Sequence, residues 1–363
     1  MKLTYKEYKN PILEIQEDNR NDIWTFGLDN QLPKLIHDLI TQSPTASTAS
    51  RLAAKAILGG GTGKEVQLNK ERSLDDVLSI AADQMVDMAN VYFRLGFNGE
   101  LKVNSIKVIP QSKIRKGKSD DLGFSGFYHF DNNEFKGKGE AVKIHAYNGS
   151  KEAIEKQIES AGGIQKWNGQ ILHIKLDHGN HYALPMCFSV LQDMLTEANS
   201  ALFRANNTQK GFLNNNLLIL PQLSNDEANE KFISQFKKLE GAQGSGHNLL
   251  FQSDAGVEDI AKQFLLAPLN SQPNDKLFEY SDRKAESNIA KAFRIPQILI
   301  NPQESGLFGS SGELLRAAKE FLFESYTEER SLLISKLNMV LKNWHEPLEP
   351  IKIINPYEQP NNS

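Results

Sequence analysis

The eight residues from Leu58 to Glu65 read LGGGTGKE. Clustered glycines followed by a lysine suit a phosphate-wrapping loop, because backbone N–H groups can close on the anion and the lysine can neutralise it. The Walker A pattern, however, places four residues between its first glycine and its Gly-Lys pair, and a hydroxyl residue after the lysine. Here Gly59 and Gly63 enclose three residues, and Lys64 is followed by Glu65, which repels a phosphate. The loop also follows an expected helix, whereas a phosphate loop follows a strand. The spacing favours a helix C-cap and flexible connector; a nucleotide-binding enzyme using Gly59 to Lys64 is the weaker reading.

A second cluster, HIKLDHGNH, holds His173, Asp177, His178 and His181. Imidazoles and a carboxylate this close in sequence could ligate a metal. On a strand His173 and Asp177 share a face while His178 falls in the turn, so convergence on one ion needs a special loop. Polar residues at a strand end are the simpler reading. Cys187 would need a neighbouring base and an electropositive setting to act as a nucleophile; it falls at an apolar helical position and reads as a buried thiol. The chain has no serine elbow, no H-E-x-x-H, no G-x-G-x-x-G after a strand and no paired-carboxylate motif. No catalytic residue is therefore assigned, and neither a metal nor a cofactor is expected.

The elements that must position these residues fit a chain of ordinary globular composition, 39% hydrophobic and 24% charged over 363 residues. The formal net charge of -4 gives no overall pull toward nucleic acid. With one cysteine an internal disulfide is impossible, and the charged N-terminal stretch lacks an apolar signal core. No run of about 18 apolar residues spans a membrane, and a reducing cytoplasm is the expected folding compartment.

Ser43-Pro44 starts a helix with Leu52, Ala53, Ala56 and Ile57 on one face, ending at Gly59. Ser73 and Asp76, at capping-box spacing, start a second carrying Val77, Leu78, Ala81, Met85 and Met88. The period then changes to two around Asn98-Gly99, a strong hairpin signal. Further strands are expected at Phe127 to Phe130, Ala141 to Tyr147 and Ile171 to Asp177, so residues 1–183 read as one α+β domain. A long amphipathic helix follows Pro185, with Cys187, Leu191, Met194, Leu195, Ala198 and Leu202 at helical spacing. A small α/β insert comes next: strand LLILP, a helix opened by Ser224 and Glu227 that carries Phe232 and Phe236, and strand LLFQ. Another helix runs from Asp275 to Phe293; its Lys276, Arg283, Lys284, Lys291 and Arg294 read as a solvated face or as a contact with a neighbouring subunit or polyanion. After NPQESGLFGSSGE a last long helix is expected from Gly312 to Trp344, then an extended or frayed Pro- and Asn-rich tail.

This order, together with IAKAFRIP at Ile289 to Pro296, resembles the portal proteins of tailed bacteriophages, in which an "IARAFGVP" type of junction precedes a glycine-rich loop. NQLPKLIHDLITQSPTASTASRLAAKAILGGG is similar to the family's N-terminal helices, and VYFRLGFNGELKVNSIKVIPQSKI to its hairpin followed by proline. The resemblance covers most of residues 25–342. Arg294 stands where many relatives have glycine.

The resemblance implies a portal-like α+β fold: a mixed α+β wing (1–183), a first stem helix (184–211), a clip-like α/β insert (212–262), a second stem helix (273–294), a tunnel loop (295–311), a C-terminal helix toward a reduced crown (312–345) and an extended tail (346–363). It also implies a ring oligomer of typically about twelve copies at a capsid vertex. Double-stranded DNA would pass without sequence preference, driven in by a separate terminase and later ejected. The implied channel residues are Gln303, Ser305, Gly306, Phe308, Gly309, Ser310 and Ser311. The implied stem or subunit-interface residues are Leu191, Met194, Leu202, Arg283, Lys284, Lys291 and Arg294, and Phe232, Phe236 and Gln243 would dock partners on the clip. The partners implied are the terminase large subunit, major capsid and scaffold proteins and a head-tail adaptor, with no membrane. The location implied is the virion, with assembly in the host cytoplasm. Such a conduit is not an enzyme, and the absence of a basic balance suits a lining along which DNA slides. The alternative is another head-completion or capsid-associated scaffold protein.

Overall fold

The computed structural model describes residues 15–27, 30–119, 125–130, 141–177, 181–209, 215–221, 248–253, 265–269, 275–301 and 312–358. Two short strands, β1 (Glu17–Asp18) and β2 (Ile23–Trp24), precede three helices, α1 (Leu32–Gln42), α2 (Pro44–Leu58) and α3 (Leu74–Met88). The local signals act as expected. Ser43 Oγ accepts from the Ala46 N–H at 3.1 Å, with Pro44 at the first helical position of α2. Ser73 and Asp76 close a complete capping box on α3, and α2 ends at Gly59 with φ 55°.

A six-stranded sheet follows in the order β4-β3-β8-β7-β6-β5, built from β3 (Asn90–Phe97), β4 (Val103–Ile109), β5 (Ile114–Lys116), β6 (Gly126–His129), β7 (Val142–Ala146) and β8 (Gln170–Lys175). All neighbours are antiparallel except β7 and β8, which are joined through α4 (Lys151–Ala161) as a parallel crossover unit. The hairpin expected at Asn98-Gly99 exists, but its loop is wider than a two-residue turn. Asn98 N–H bonds Lys102 O at 2.9 Å, and Leu101 rather than Gly99 takes the left-handed conformation, at φ 62°. The Asn98 Oδ1 accepts from the Glu100 and Lys102 amides, which holds the loop without needing glycine at that place.

The alternation of β3 explains why it is buried on both faces. Val91, Phe93 and Leu95 point into the main core with α2 and α3, while Tyr92 joins Ile109, Ile114, Phe127, Ile144 and Ile171 in a second core on the other face. The alanines of α2 (Ala46, Ala49, Ala53) are fully buried and let its backbone approach its neighbours closely. Each full-sized apolar side chain buried here contributes about 1.5–3 kcal/mol relative to exposure.

After a 3-10 turn at Met186–Val190 come α5 (Leu191–Gln209), α6 (Asp275–Ala292), α7 (Gln297–Ile300), α8 (Gly312–Ser325) and α9 (Thr327–Leu341). The chain divides into two compact units, residues 1–195 with 285–363, and residues 196–284. The core of the first unit therefore does not stop at residue 183. It includes Cys187, Leu191, Met194, Ile289, Phe293, Leu322, Tyr326, Leu333 and Leu337. Helices distant in sequence complete it, because the exposed side of α2 and α3 would otherwise leave apolar residues such as Ile57 and Leu78 in water.

The single helix expected from Gly312 to Trp344 is two helices, broken at Tyr326. In the second unit β9 (Asn215–Pro221) lies between β10 (Asn248–Ser253), parallel to it, and β11 (Leu265–Leu269), antiparallel. The sequence pattern missed β11 because Pro268 interrupts it; proline is tolerated there since β11 is an edge strand. The helix expected from Ser224, with Phe232, Phe236 and Gln243, lies outside the described residues. In the same unit Arg204 of α5 forms an ion pair with Asp282 of α6.

Candidate functional site

The segment that ends α6 and leads toward residues 302–311 is built around Arg294. The Arg294 N–H bonds Lys291 O at 3.0 Å and the Ile295 N–H reaches back to Ala290 O at 2.8 Å, a Schellman arrangement. That termination demands a left-handed residue, and Arg294 supplies it at φ 54°. This accounts for glycine being common at the position in the family that the sequence resembles: glycine adopts this conformation without a Cβ penalty.

Arginine is strained there, but its side chain is engaged. It pairs with Glu329 of α9 at 2.9 Å, donates to Ser325 O at 2.8 Å and lies over the Tyr326 ring at 5.4 Å. Glu329 is 2% exposed, so its carboxylate depends on that guanidinium; its other oxygen, Oε2, has no partner among the described residues. Tyr326 is fully buried and its hydroxyl donates to Phe293 O at 2.5 Å, at the end of α6. Burial raises the Tyr326 hydroxyl above its ordinary range, which keeps it a donor. Arg330, one residue beyond Glu329, donates to Ala56 O at 2.7 Å and Phe323 O at 3.1 Å and stacks on the Phe323 ring at 3.6 Å. The break between α8 and α9 thus carries polar groups that lock the end of α6, α2 and α9 together. Sequence reading missed Tyr326, Glu329 and Arg330. The signal was present: Tyr326, Arg330, Leu333 and Leu337 share one helical face, so Arg330 sits where an apolar residue would be expected.

The glycine loop after α2 has a structural occupant. The Gly60 N–H bonds Ile354 O at 2.8 Å and the Ile354 N–H bonds Gly61 O at 2.8 Å. Lys64 Nζ donates to the carbonyls of Glu349 and Pro350, at 3.0 and 3.3 Å, and the Thr62 N–H and hydroxyl go to Asp75, at 3.0 and 2.7 Å. A Cβ on Gly59 would meet Ile353 Cγ2 at 2.7 Å and Ile354 O at 2.9 Å, and one on Gly60 would meet Ile354 O at 3.1 Å. The glycines are there because the C-terminal tail lies against them, and the loop is a docked cradle where a flexible connector was expected. The tail is extended but not frayed over residues 348–354. Ile351 is fully buried, its N–H and C=O both held by the Asn338 side chain at 2.8 and 2.9 Å, and Tyr357 packs edge-on against Phe323.

The histidine cluster is dispersed. His173 is buried between Tyr92 and Phe127, with Nε2 3.0 Å from Asn90 Oδ1; burial, reinforced by Lys116 and Lys175, pushes its pKa down to about 3. His181 stacks on Trp24 instead, and His178 lies outside the described residues. Cys187 is fully buried, and its thiol is pushed up to about 12, first by burial and then by Asp87, so it is no nucleophile.

Two residues expected on a subunit interface, Leu191 and Met194, are instead core residues of their own chain, 4% and 0% exposed. The helical face that carries them joins the main core of the first unit, where burial is more favourable than exposure. Leu202 is 60% exposed, and Arg283, Lys284 and Lys291 are exposed, with Arg283 paired to Glu279 within α6 at 2.9 Å. Gln303, Ser305, Gly306, Phe308, Gly309, Ser310 and Ser311 lie outside the described residues, as do the three docking residues of the insert.

Neither a protein-family model nor a curated protein matches the sequence. Solved structures do. A chain of the neck of the native gene transfer agent particle, computed with C12 symmetry, has a TM-score of 0.51 at 14% identity over 86% of this chain and 81% of that one. A chain of the virion of the native particle gives 0.50 at 13% identity over 85% and 81%. An HK97 family phage portal protein from Corynebacterium diphtheriae gives 0.45 at 12% identity over 85% and 90%. The chain has the mixed α+β fold of that particle-neck protein.

Proposed function

We propose that this chain is a portal subunit: a structural, non-enzymatic protein that assembles with copies of itself into a ring at a capsid vertex, through which double-stranded DNA enters and leaves. The observation that carries this reading is the fold likeness to a chain of a particle neck computed with C12 symmetry, extending over most of both chains. The order of elements supports it. Residues 1–183 serve as the wing, α5 and α6 as stem helices, the sheet of β9, β10 and β11 as part of the clip, residues 295–311 as the tunnel loop, and α8 and α9 as the C-terminal helical segment toward a reduced crown.

In this reading Gly306 and Gly309 let the loop follow the moving duplex, with Gln303, Ser305, Phe308, Ser310 and Ser311 lining it. Leu202, Lys284 and Lys291 remain available for neighbouring subunits, as exposed residues are. Phe232, Phe236 and Gln243 dock an adaptor. A separate terminase supplies the energy, capsid and scaffold proteins surround the ring, and the mature protein resides in the virion after assembly in the host cytoplasm.

The test is imaging of the protein expressed with capsid and scaffold partners. Rings of about twelve copies are expected, and a chain that stays monomeric under those conditions refutes the reading. Replacing Gly306 and Gly309 by valine should leave rings intact while lowering DNA packaging or retention.

A further inference from the structure

The C-terminal segment seated on the glycine loop buries little of itself. Of residues 351–358, Ile351 alone is fully buried, and Lys352, Ile354, Pro356 and Glu358 are exposed. Two places fasten its backbone: Gly60 and Gly61 hold Ile354, and the Asn338 side chain holds Ile351. The Lys64–Glu349 ion pair adds little, because the Glu349 side chain is 91% exposed. A segment with so small a buried face opens locally at a lower free energy than the sheet core.

What this strap covers is Arg330. Ile353 lines one small void together with Ile57, Leu58, Leu78, Leu333 and Arg330. Tyr357 packs edge-on against Phe323 with ring centroids 5.9 Å apart, and the Arg330 guanidinium stacks on that same ring at 3.6 Å. The strap therefore shields from water the bonds that Arg330 donates to Ala56 O, Phe323 O and Thr327 Oγ1, at 2.7, 3.1 and 3.1 Å.

Arg330 also belongs to the turn that holds the end of α6. Its backbone N–H donates to Tyr326 O at 3.1 Å. Tyr326 in turn donates to Phe293 O, and Glu329 pairs with Arg294. Hydrogen bonds are stronger where water is excluded, so the Arg330 contacts are firmer with the strap closed than with it open. A difference of that kind makes the coupling reciprocal: a firm junction also favours the closed strap.

We propose that residues 349–358 form a releasable strap whose closure over Arg330 and Phe323 clamps the Tyr326–Glu329–Arg294 junction, so that strap and junction open together. In the portal reading this junction is the root of residues 295–311, and the strap sets how firmly that loop is anchored. The coupling itself does not depend on that reading.

The experiment is native-state hydrogen exchange on the full-length protein, read by mass spectrometry in peptides covering the strap (348–358), the junction (289–301 and 325–333) and, as a control, β3 (90–97). A reversible lock comes from Gly60→Cys with Ile354→Cys. A Cβ on Gly60 would lie 3.2 Å from Ile354 Cβ, a few tenths of an ångström from the roughly 3.5–4.5 Å that a disulfide spans. Oxidising this pair should slow exchange in both strap and junction by about tenfold relative to the reduced form, with β3 unchanged. Tyr357→Ala, at a partly exposed position, should speed both sets together and serves if the cysteine pair does not fold. A lock that protects the strap and leaves the junction peptides unchanged overturns the proposal. So does a Tyr357→Ala chain in which the strap alone exchanges faster, or an unaltered chain whose strap exchanges as slowly as β3.

Discussion

Arg294 sets two opposing effects against each other, and replacing it by glycine measures their difference. Glycine removes the penalty of a side chain at φ 54°, a gain of about 1 kcal/mol. It also deletes the partner of Glu329, which is 2% exposed, together with the charge-assisted bond to Ser325 O. Stripping one member from a fully buried pair costs about 3–5 kcal/mol. The Arg294 side chain is 45% exposed, so water already screens the pair and about 3 kcal/mol is the appropriate end of that range. Arg294→Gly should therefore lose about 2 kcal/mol of unfolding free energy at neutral pH, read as a lower urea midpoint with unchanged slope. The control is the double variant Arg294→Gly with Glu329→Gln. Removing the stranded charge should recover at least half of the loss, giving a coupling energy of about 1–2 kcal/mol. If Arg294→Gly is neutral or stabilising, and Glu329→Gln does nothing in its background, the ion pair is not what holds the junction and does not offset the strain at Arg294.

Three further outcomes are expected. Gly59→Ala forces a Cβ to within 2.7 Å of Ile353 at a left-handed position; it should cost about 2–4 kcal/mol and make residues 348–358 cleavable by protease in the native protein, whereas unchanged resistance would mean that the tail is held elsewhere. Burial raises Asp87 to about 6, with Ser50 and His37 opposing and Asp83 reinforcing the shift. Its charged form is therefore a burden above that pH, so Asp87→Asn should stabilise by up to about 3 kcal/mol at pH 7–8, the gain shrinking as pH falls through 6 and vanishing below about 4. His173 has the opposite sign: folded, it stays neutral down to about pH 3, while the unfolded chain takes up a proton below about 6.5, so stability should fall between those values on acidification. Titrating the His173 ring by NMR checks this directly, and a pKa near 6.5 in the native protein would refute it.

The local structure was legible from the residues themselves. The capping box at Ser73 and Asp76, the Ser43-Pro44 helix start and the period-two strands depend on neighbours within a few residues, so the sequence suffices to place them. The order of helices around a small insert was also readable, and it led to the fold.

The spacing sets the glycine loop apart from the Walker A pattern, yet its purpose could not be read. The partner that makes Gly59 and Gly60 necessary is Ile354, almost three hundred residues further along the chain. The same separation hid the fate of Leu191 and Met194. Amphipathic spacing says that a helix buries a face, but whether that face meets its own chain or a neighbouring subunit is decided by what is already packed nearby. Arg294 shows both halves together: the sequence determined that a helix must stop there, and tertiary structure decided that an arginine could serve, because a buried glutamate on a distant helix offsets its strain.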